Sequence, residues 1–117
     1  MLKKENRLTK DKEFDNTFKH GRSSYTKVLG MKAIKNSLLV NRFGILVSTK
    51  VSPKAVIRNK IKRQIRAVIQ DELFLLKKGF DCVIVVFPLI LANNYQDTET
   101  TIKFCFQKLN LYDKIIQ

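Results

Sequence analysis

No aspartate or glutamate occurs between Asp15 and Asp71. The 55 residues of that interval, 16–70, hold 13 lysines and arginines, whereas outside it ten cations meet ten carboxylates. The whole formal net charge of +13 therefore comes from one central block. A surface that served only solubility would mix the signs. A one-signed block points to a polyanionic partner, nucleic acid first and an anionic membrane surface second. The same shortage bears on catalysis: a block without carboxylates offers no acidic cluster for Mg²⁺ where phosphate would bind. His20 is the only histidine and has no Asp, Glu or Cys motif to make it a general base. Walker A loop and nucleophile elbow are both missing. Neither a protein catalytic site nor a protein-held metal site is expected.

Other absences narrow the class. The longest apolar run, residues 82–92 with Pro88 inside it, is far too short to cross a bilayer. The start, "MLKKENRLTKDKEF", is basic but has no apolar h-region or cleavage site, so it does not read as a signal peptide. Cys82 and Cys105 lie in apolar stretches without C-x-x-C spacing. They read as buried free thiols of a reducing compartment, and the chain as cytoplasmic. No repeat, low-complexity tract or Pro/Gly-rich linker divides the sequence. Residues 1–117 are expected to form one domain, a common size for one core.

What is present reads as alternating helices and strands. Thr9 is placed to cap a helix over residues 10–20, with Phe14 and Phe18 one turn apart and Gly21 as its stop. Residues 25–35 alternate with Leu29, Met31 and Ala33 on one side, and residues 42–49 with Phe43, Ile45 and Val47, as half-buried strands do. Pro53 ends the second of these, and a helix follows over residues 54–73. Residues 82–87, "CVIVVF", read as a strand buried on both faces. Asp97 is placed to cap a last helix carrying Ile102, Cys105, Phe106 and Leu109. This order predicts an α+β two-layer sandwich, with a βαβ crossover near the central helix.

That central helix begins "KAVIRNKIKRQIR", six cations in thirteen residues. Ile57, Ile61, Ile65 and Val68 fall within an arc of about 80° and form one buried stripe. Arg58, Lys62 and Arg66 make an i, i+4, i+8 ridge, expected on the far side with Asn59 and Arg63 beside it. Like charges at that spacing cost a few tenths of a kcal/mol per pair, with no Glu within a turn of them along the helix to relieve them. A polyanion would remove that cost. The apolar stripe is Ile and Val without Trp, which suits a protein core better than a lipid interface. A sheet beside a basic helix would suit a single strand, whose bases stack on aromatic rings. Phe14, Phe18, Tyr25 and Phe43 are candidates for that role and equally for core packing.

Four segments in order then resemble the bacterial ribonuclease P protein family: "RLTKDKEFDNTFKHG" (7–21), "RFGILVSTKV" (42–51), "AVIRNKIKRQIR" (55–66) and "GFDCVIVVFP" (79–88). The most specific piece is the Arg-Asn-Arg type motif, here Arg58, Asn59 and Lys60. Phe14, Phe18 and Gly21 match a second pattern, F-x-x-x-F-x-x-G. The resemblance implies an αβββαβα domain of the ribosomal protein S5 domain 2-like type, with a left-handed βαβ crossover. It implies a protein subunit that binds the ribonuclease P catalytic RNA and the single-stranded 5′ leader of precursor tRNA. The holoenzyme removes that leader by hydrolysis, with catalysis and Mg²⁺ held mainly by the RNA. By the same carry-over, Arg58, Asn59, Lys60, Lys62, Arg63 and Arg66 would face the catalytic RNA. Lys10, Phe14, Phe18, Lys32, Ser48 and Lys50 would line the leader cleft. No membrane and no small-molecule substrate is implied.

The sequence departs from the family pattern at several places. Lys60 stands where Arg is more usual, and loses the planar bidentate fork. The usual Gly before the motif is replaced within "VSPKA", Ala67 stands for a frequent Glu, and Phe87 for a frequent Arg. Lys32 occupies the position of a cleft aromatic. One of the three strands expected before the central helix is not placed within residues 22–49. Two rivals to an RNA-binding subunit remain: a structural RNA-binding protein on the same fold, and a self-sufficient nuclease.

Overall fold

The computed structural model describes residues 2–114. Its organising element is β4 (Phe80–Val86), which lies between two neighbours in a four-stranded sheet of order β1-β2-β4-β3. Flanked by β2 (Leu29–Lys35) and β3 (Arg42–Leu46) and covered on both faces, it has six of its seven residues buried. That position explains its unbroken apolar run. β2 pairs with it antiparallel and β3 parallel. Parallel neighbours cannot be joined by a hairpin, so the chain crosses from β3 to β4 through α2 (Ala55–Glu72).

The strand left unplaced by the sequence is β1 (Arg22–Tyr25), antiparallel to β2. One strand is expected over 25–35, but Thr26 divides it. The Thr26 hydroxyl oxygen accepts the amides of Leu29 (3.1 Å) and Val28 (3.3 Å), turning the chain between β1 and β2. β3 is also shorter than the expected 42–49. Its pairing with β4 stops at Leu46, and the amide of Val51 then donates to the Ser48 carbonyl (3.0 Å) in a turn.

Alternation sorts the sheet into two faces. The inner face carries Leu29, Met31, Ala33, Phe43, Cys82, Ile84 and Val86, all buried. α2 covers it with Ile61, Ile65, Val68 and Ile69, and α3 (Tyr95–Lys108) with Ile102, Cys105 and Phe106. Phe106 packs edge-on to Phe43 at 6.3 Å and to Tyr112 at 6.0 Å. Each such fully buried large side chain contributes about 1.5–3 kcal/mol. Cys82 and Cys105 are both free and buried in this layer. Burial pushes both thiols above their ordinary pKa.

α1 (Asp11–His20) lies against the opposite, outer face and covers only part of it. Its cap position is Lys10 rather than Thr9, with the Glu13 carboxylate accepting the Lys10 amide at 3.2 Å. Similarly, Asn94 rather than Asp97 caps α3. The Asn94 side chain accepts the Asp97 amide at 2.8 Å, and the Asp97 carboxylate accepts the Asn94 amide in return at 3.3 Å. Ahead of α1, a short 3-10 turn (Lys4–Asn6) leads to Arg7 and Leu8, which run beside β3 and cover its open edge. Asn41 fastens this corner: its side chain accepts the Phe80 amide and donates to the Lys77 carbonyl, while its own carbonyl accepts from Asn6, each at 2.8 Å. Among the described residues no helix is long and apolar enough to cross a membrane.

Candidate nucleic-acid interface

The isoleucine stripe of α2 fixes how its charges are presented. With 100° per residue, the Arg58–Lys62–Arg66 ridge is centred about 90° from the stripe that faces the core. The ridge therefore runs along a flank and is not the far side expected from the sequence; all three residues are half-buried. The fully exposed side belongs to Asn59, Lys60 and Arg63. Together the six residues wrap basic surface around about half of the helix.

Their partners differ. The Arg58 guanidinium donates to the Ser52 carbonyl at 2.9 Å, which anchors it over the turn before α2 and leaves other N–H groups free. Lys60, Lys62, Arg63 and Arg66 make no hydrogen bond or ion pair with any described residue. Their mutual repulsion is thus unrelieved among the described residues.

Arg42, in the same carboxylate-free block, is the opposite case. It donates to both Asp81 oxygens at 2.8 Å each and to Glu13 of α1. Asn36 adds a bond to Asp81 at 2.9 Å. Hydrogen bonding to Asp81 raises the Arg42 pKa, against burial, with the charges of Asp81 and Glu13 adding to the rise. This cation bolts α1 to the sheet. Sequence reading does not single it out, because both of its acidic partners lie far away along the chain.

The outer face carries aromatic rings over small or polar sheet positions. Phe14 lies on Gly44, where a Cβ would stand 2.4 Å from the ring, so a larger residue there would have to displace it. The Tyr25 ring covers Gly30 in the same way, also at 2.4 Å, and Tyr25 remains 60% exposed. Phe14 and Phe18 are half-buried. Phe43 belongs to the inner core and leaves the set of stacking candidates.

Lys32 projects from the same face. Its ammonium donates to the Phe18 carbonyl at 2.8 Å and lies 5.8 Å from the centre of the Phe18 ring. It serves the last turn of α1, where carbonyls favour a cation. Lys10 is exposed at the start of α1. Ser48 and Lys50 lie not on a strand but on the turn that links β3 to α2, where the Ser48 hydroxyl accepts the Lys50 amide at 3.2 Å. No hydrogen bond joins them to α1.

The α2 flank and the outer face meet. Arg66, Arg7, Thr9, Phe14 and Gly44 line one cavity of about 270 Å³. Arg7 is not among the expected site residues; its sign is present in the sequence, but nothing local shows that its segment runs beside β3. No group of three or more His, Cys, Asp or Glu side chains able to hold a metal occurs among the described residues.

These features define a small α+β domain with one open, basic, aromatic-lined sheet face beside a basic helix. A family model described as Ribonuclease P matches residues 2–110. The chain belongs to the ribonuclease P protein family. It is 38% identical over 115 residues to the ribonuclease P protein component of Clostridium acetobutylicum, covering 95% of this chain and 96% of that one. It is 37% identical over 117 residues to the protein of the same name from Synechocystis, covering 96% and 91%. Among solved structures, the RNase P protein of Staphylococcus aureus superposes with a TM-score of 0.85 at 22% identity, covering 92% of this chain and 98% of that chain. That of Thermotoga maritima gives 0.77 at 25% identity, covering 86% and 96%.

Proposed function

We propose that this chain is the protein subunit of ribonuclease P, binding the catalytic RNA through α2 and the 5′ leader of precursor tRNA along the outer sheet face. The observation that carries this reading is the α2 surface: Lys60, Lys62, Arg63 and Arg66 lack any partner among the described residues. RNA phosphates would supply the missing counter-charge, and release of condensed cations from the RNA would drive association. The cavity shared by Arg66 and Phe14 makes the helix flank continuous with the outer face. A single strand leaving the RNA-bound flank can then lie along Phe14 and Phe18, whose half-exposed rings are available to a base. Lys10, Lys32, Ser48 and Lys50 border this path as phosphate and sugar contacts.

Magnesium, held mainly by the RNA, supplies the charge stabilisation for phosphodiester hydrolysis. Residues 16–70, which include the whole α2 flank, have no carboxylate to act as a ligand, and we assign this chain charge neutralisation and positioning rather than the reacting groups. Its cations reduce phosphate repulsion that divalent ions would otherwise have to offset, which lowers the magnesium needed for activity. A membrane role is disfavoured by the burial of Ile61, Ile65 and Val68, which leaves α2 no free apolar stripe for lipid.

The reading is tested by the salt dependence of binding to ribonuclease P RNA. R58A/K62A should retain the fold and lower the log–log slope by roughly 0.7–0.9 for each phosphate no longer neutralised. An unchanged slope would mean that the flank is merely solvated and would remove the proposal.

A further inference from the structure

A second concentration of positive charge lies at the other end of the sheet. His20, Arg22, Lys35, Lys77 and Lys78 rim a cavity of about 600 Å³, none of whose lining residues is acidic. Ala33, Ile34 and Phe80 contribute apolar surface to it. The volume is within the usual range for a small-ligand site. The elements that meet here are the ends of α1, β2 and α3 and the beginnings of β1 and β4.

The rim is held in place by backbone and side-chain contacts. The Lys77 amide donates to the Leu111 carbonyl at 2.7 Å, and its carbonyl accepts from buried Asn41 at 2.8 Å. Gly79, at φ +88°, makes the turn that brings Lys77 and Lys78 beside the start of β4. Arg22 donates to the Leu109 carbonyl at 2.7 Å and keeps further N–H groups available. The side chains of His20, Lys35, Lys77 and Lys78 have no partner among the described residues. Asp81, next to Phe80 in sequence, is already committed to Arg42 and Asn36.

We infer that this cavity is a second RNA-binding site, taking one nucleotide of a single strand with its base against the apolar part of the lining and its flanking phosphates on the lysine rim. It rests on the reading of the chain as an RNA-binding subunit and adds a contact beyond the Phe18 end of the outer face, away from the α2 flank. α2 sets its distance from the Arg58 end of the flank: Arg58 is in the first turn, whereas Lys77 and Lys78 follow the end of the helix, roughly 20 Å further at 1.5 Å per residue. An RNA held at both ends would be fixed in orientation along the protein as well as bound to it.

Two measurements on the full chain test this. K35A/K77A/K78A should lower the salt slope for ribonuclease P RNA by roughly 2–2.7 if all three lysines meet phosphates, at 0.7–0.9 per phosphate. K77R/K78R should keep the wild-type slope. A normal slope in the triple variant, alongside a reduced slope in R58A/K62A, overturns the second site alone. Normal slopes in both overturn the RNA-binding reading with it. In the second measurement, a single-stranded RNA hexamer should shift the amide resonances of Lys35, Lys77, Lys78 and Asn110 saturably. Inorganic phosphate at the same phosphate concentration should shift them several-fold less. Equal shifts would show that the apolar surface contributes nothing, and would reduce the site to a non-specific anion sink.

Discussion

Alternate residues of one strand serve different ends in this protein. Leu29, Met31 and Ala33 of β2 are buried under α2 and α3, whereas Gly30, Lys32 and Ile34 face the other way, toward Tyr25, α1 and solvent. The inner face is filled by large aliphatic and aromatic groups. The outer face is kept small or polar where Phe14 and Tyr25 lie down on Gly44 and Gly30. Division of labour follows from the pleat: one face supplies the stability that lets the other remain half-open. The same contrast separates two sets of cations. Arg42 is neutralised by Asp81 and Glu13 and is structural, while Lys62 and Arg66 are left unmatched on the α2 flank among the described residues.

Substitutions on the two faces should therefore fail in different assays. Phe106→Ala, on the inner side, removes a fully buried ring that bridges Phe43 and Tyr112. It should lower unfolding free energy in urea by about 3–5 kcal/mol, with RNA affinity unchanged under conditions where the variant is folded. Arg42→Ala tests the bolt between α1 and the sheet. Leaving Asp81 without its cation should cost about 3 kcal/mol, and Asp81→Asn in the same chain should recover much of it. Phe18→Ala should act on the outer face instead. It should reduce affinity for precursor relative to mature tRNA by about 1–3 kcal/mol, with a smaller change in stability. Equal losses for the two tRNAs would assign Phe18 to packing and would blur the division between the faces.

Much of this organisation can be read from sequence because hydrophobic period and burial coincide. The alternation of Leu29, Met31 and Ala33, the continuous run of β4 and the Ile61–Ile65–Val68 stripe all mark surfaces that the fold buries. β1 is not legible for the converse reason. Its "RSSY" has no apolar alternation, and it is held by pairing to β2 and by burial of Ser24 against α3 near Cys105. Helix starts are ambiguous where several capping residues stand close together: both Asn94 and Asp97 take part in one reciprocal box, and only geometry says which is the cap. The ridge on α2 is legible from its spacing, and 100° per residue applied to the same positions places it on a flank of the helix rather than on the far side. Contacts across long sequence separation, such as Arg42 with Asp81 or Asn6 with Asn41, leave no local trace at all.

The central claim is that the open, basic side of this domain assists an RNA that carries the chemistry. Cleavage of precursor tRNA by bacterial ribonuclease P RNA at low Mg²⁺, with and without the purified protein, tests it most directly. Strong stimulation by the protein is predicted, with no cleavage by the protein alone and loss of much of the stimulation in R58A/K62A. Cleavage that is unaffected by the protein, or that proceeds with protein free of RNA, would contradict it.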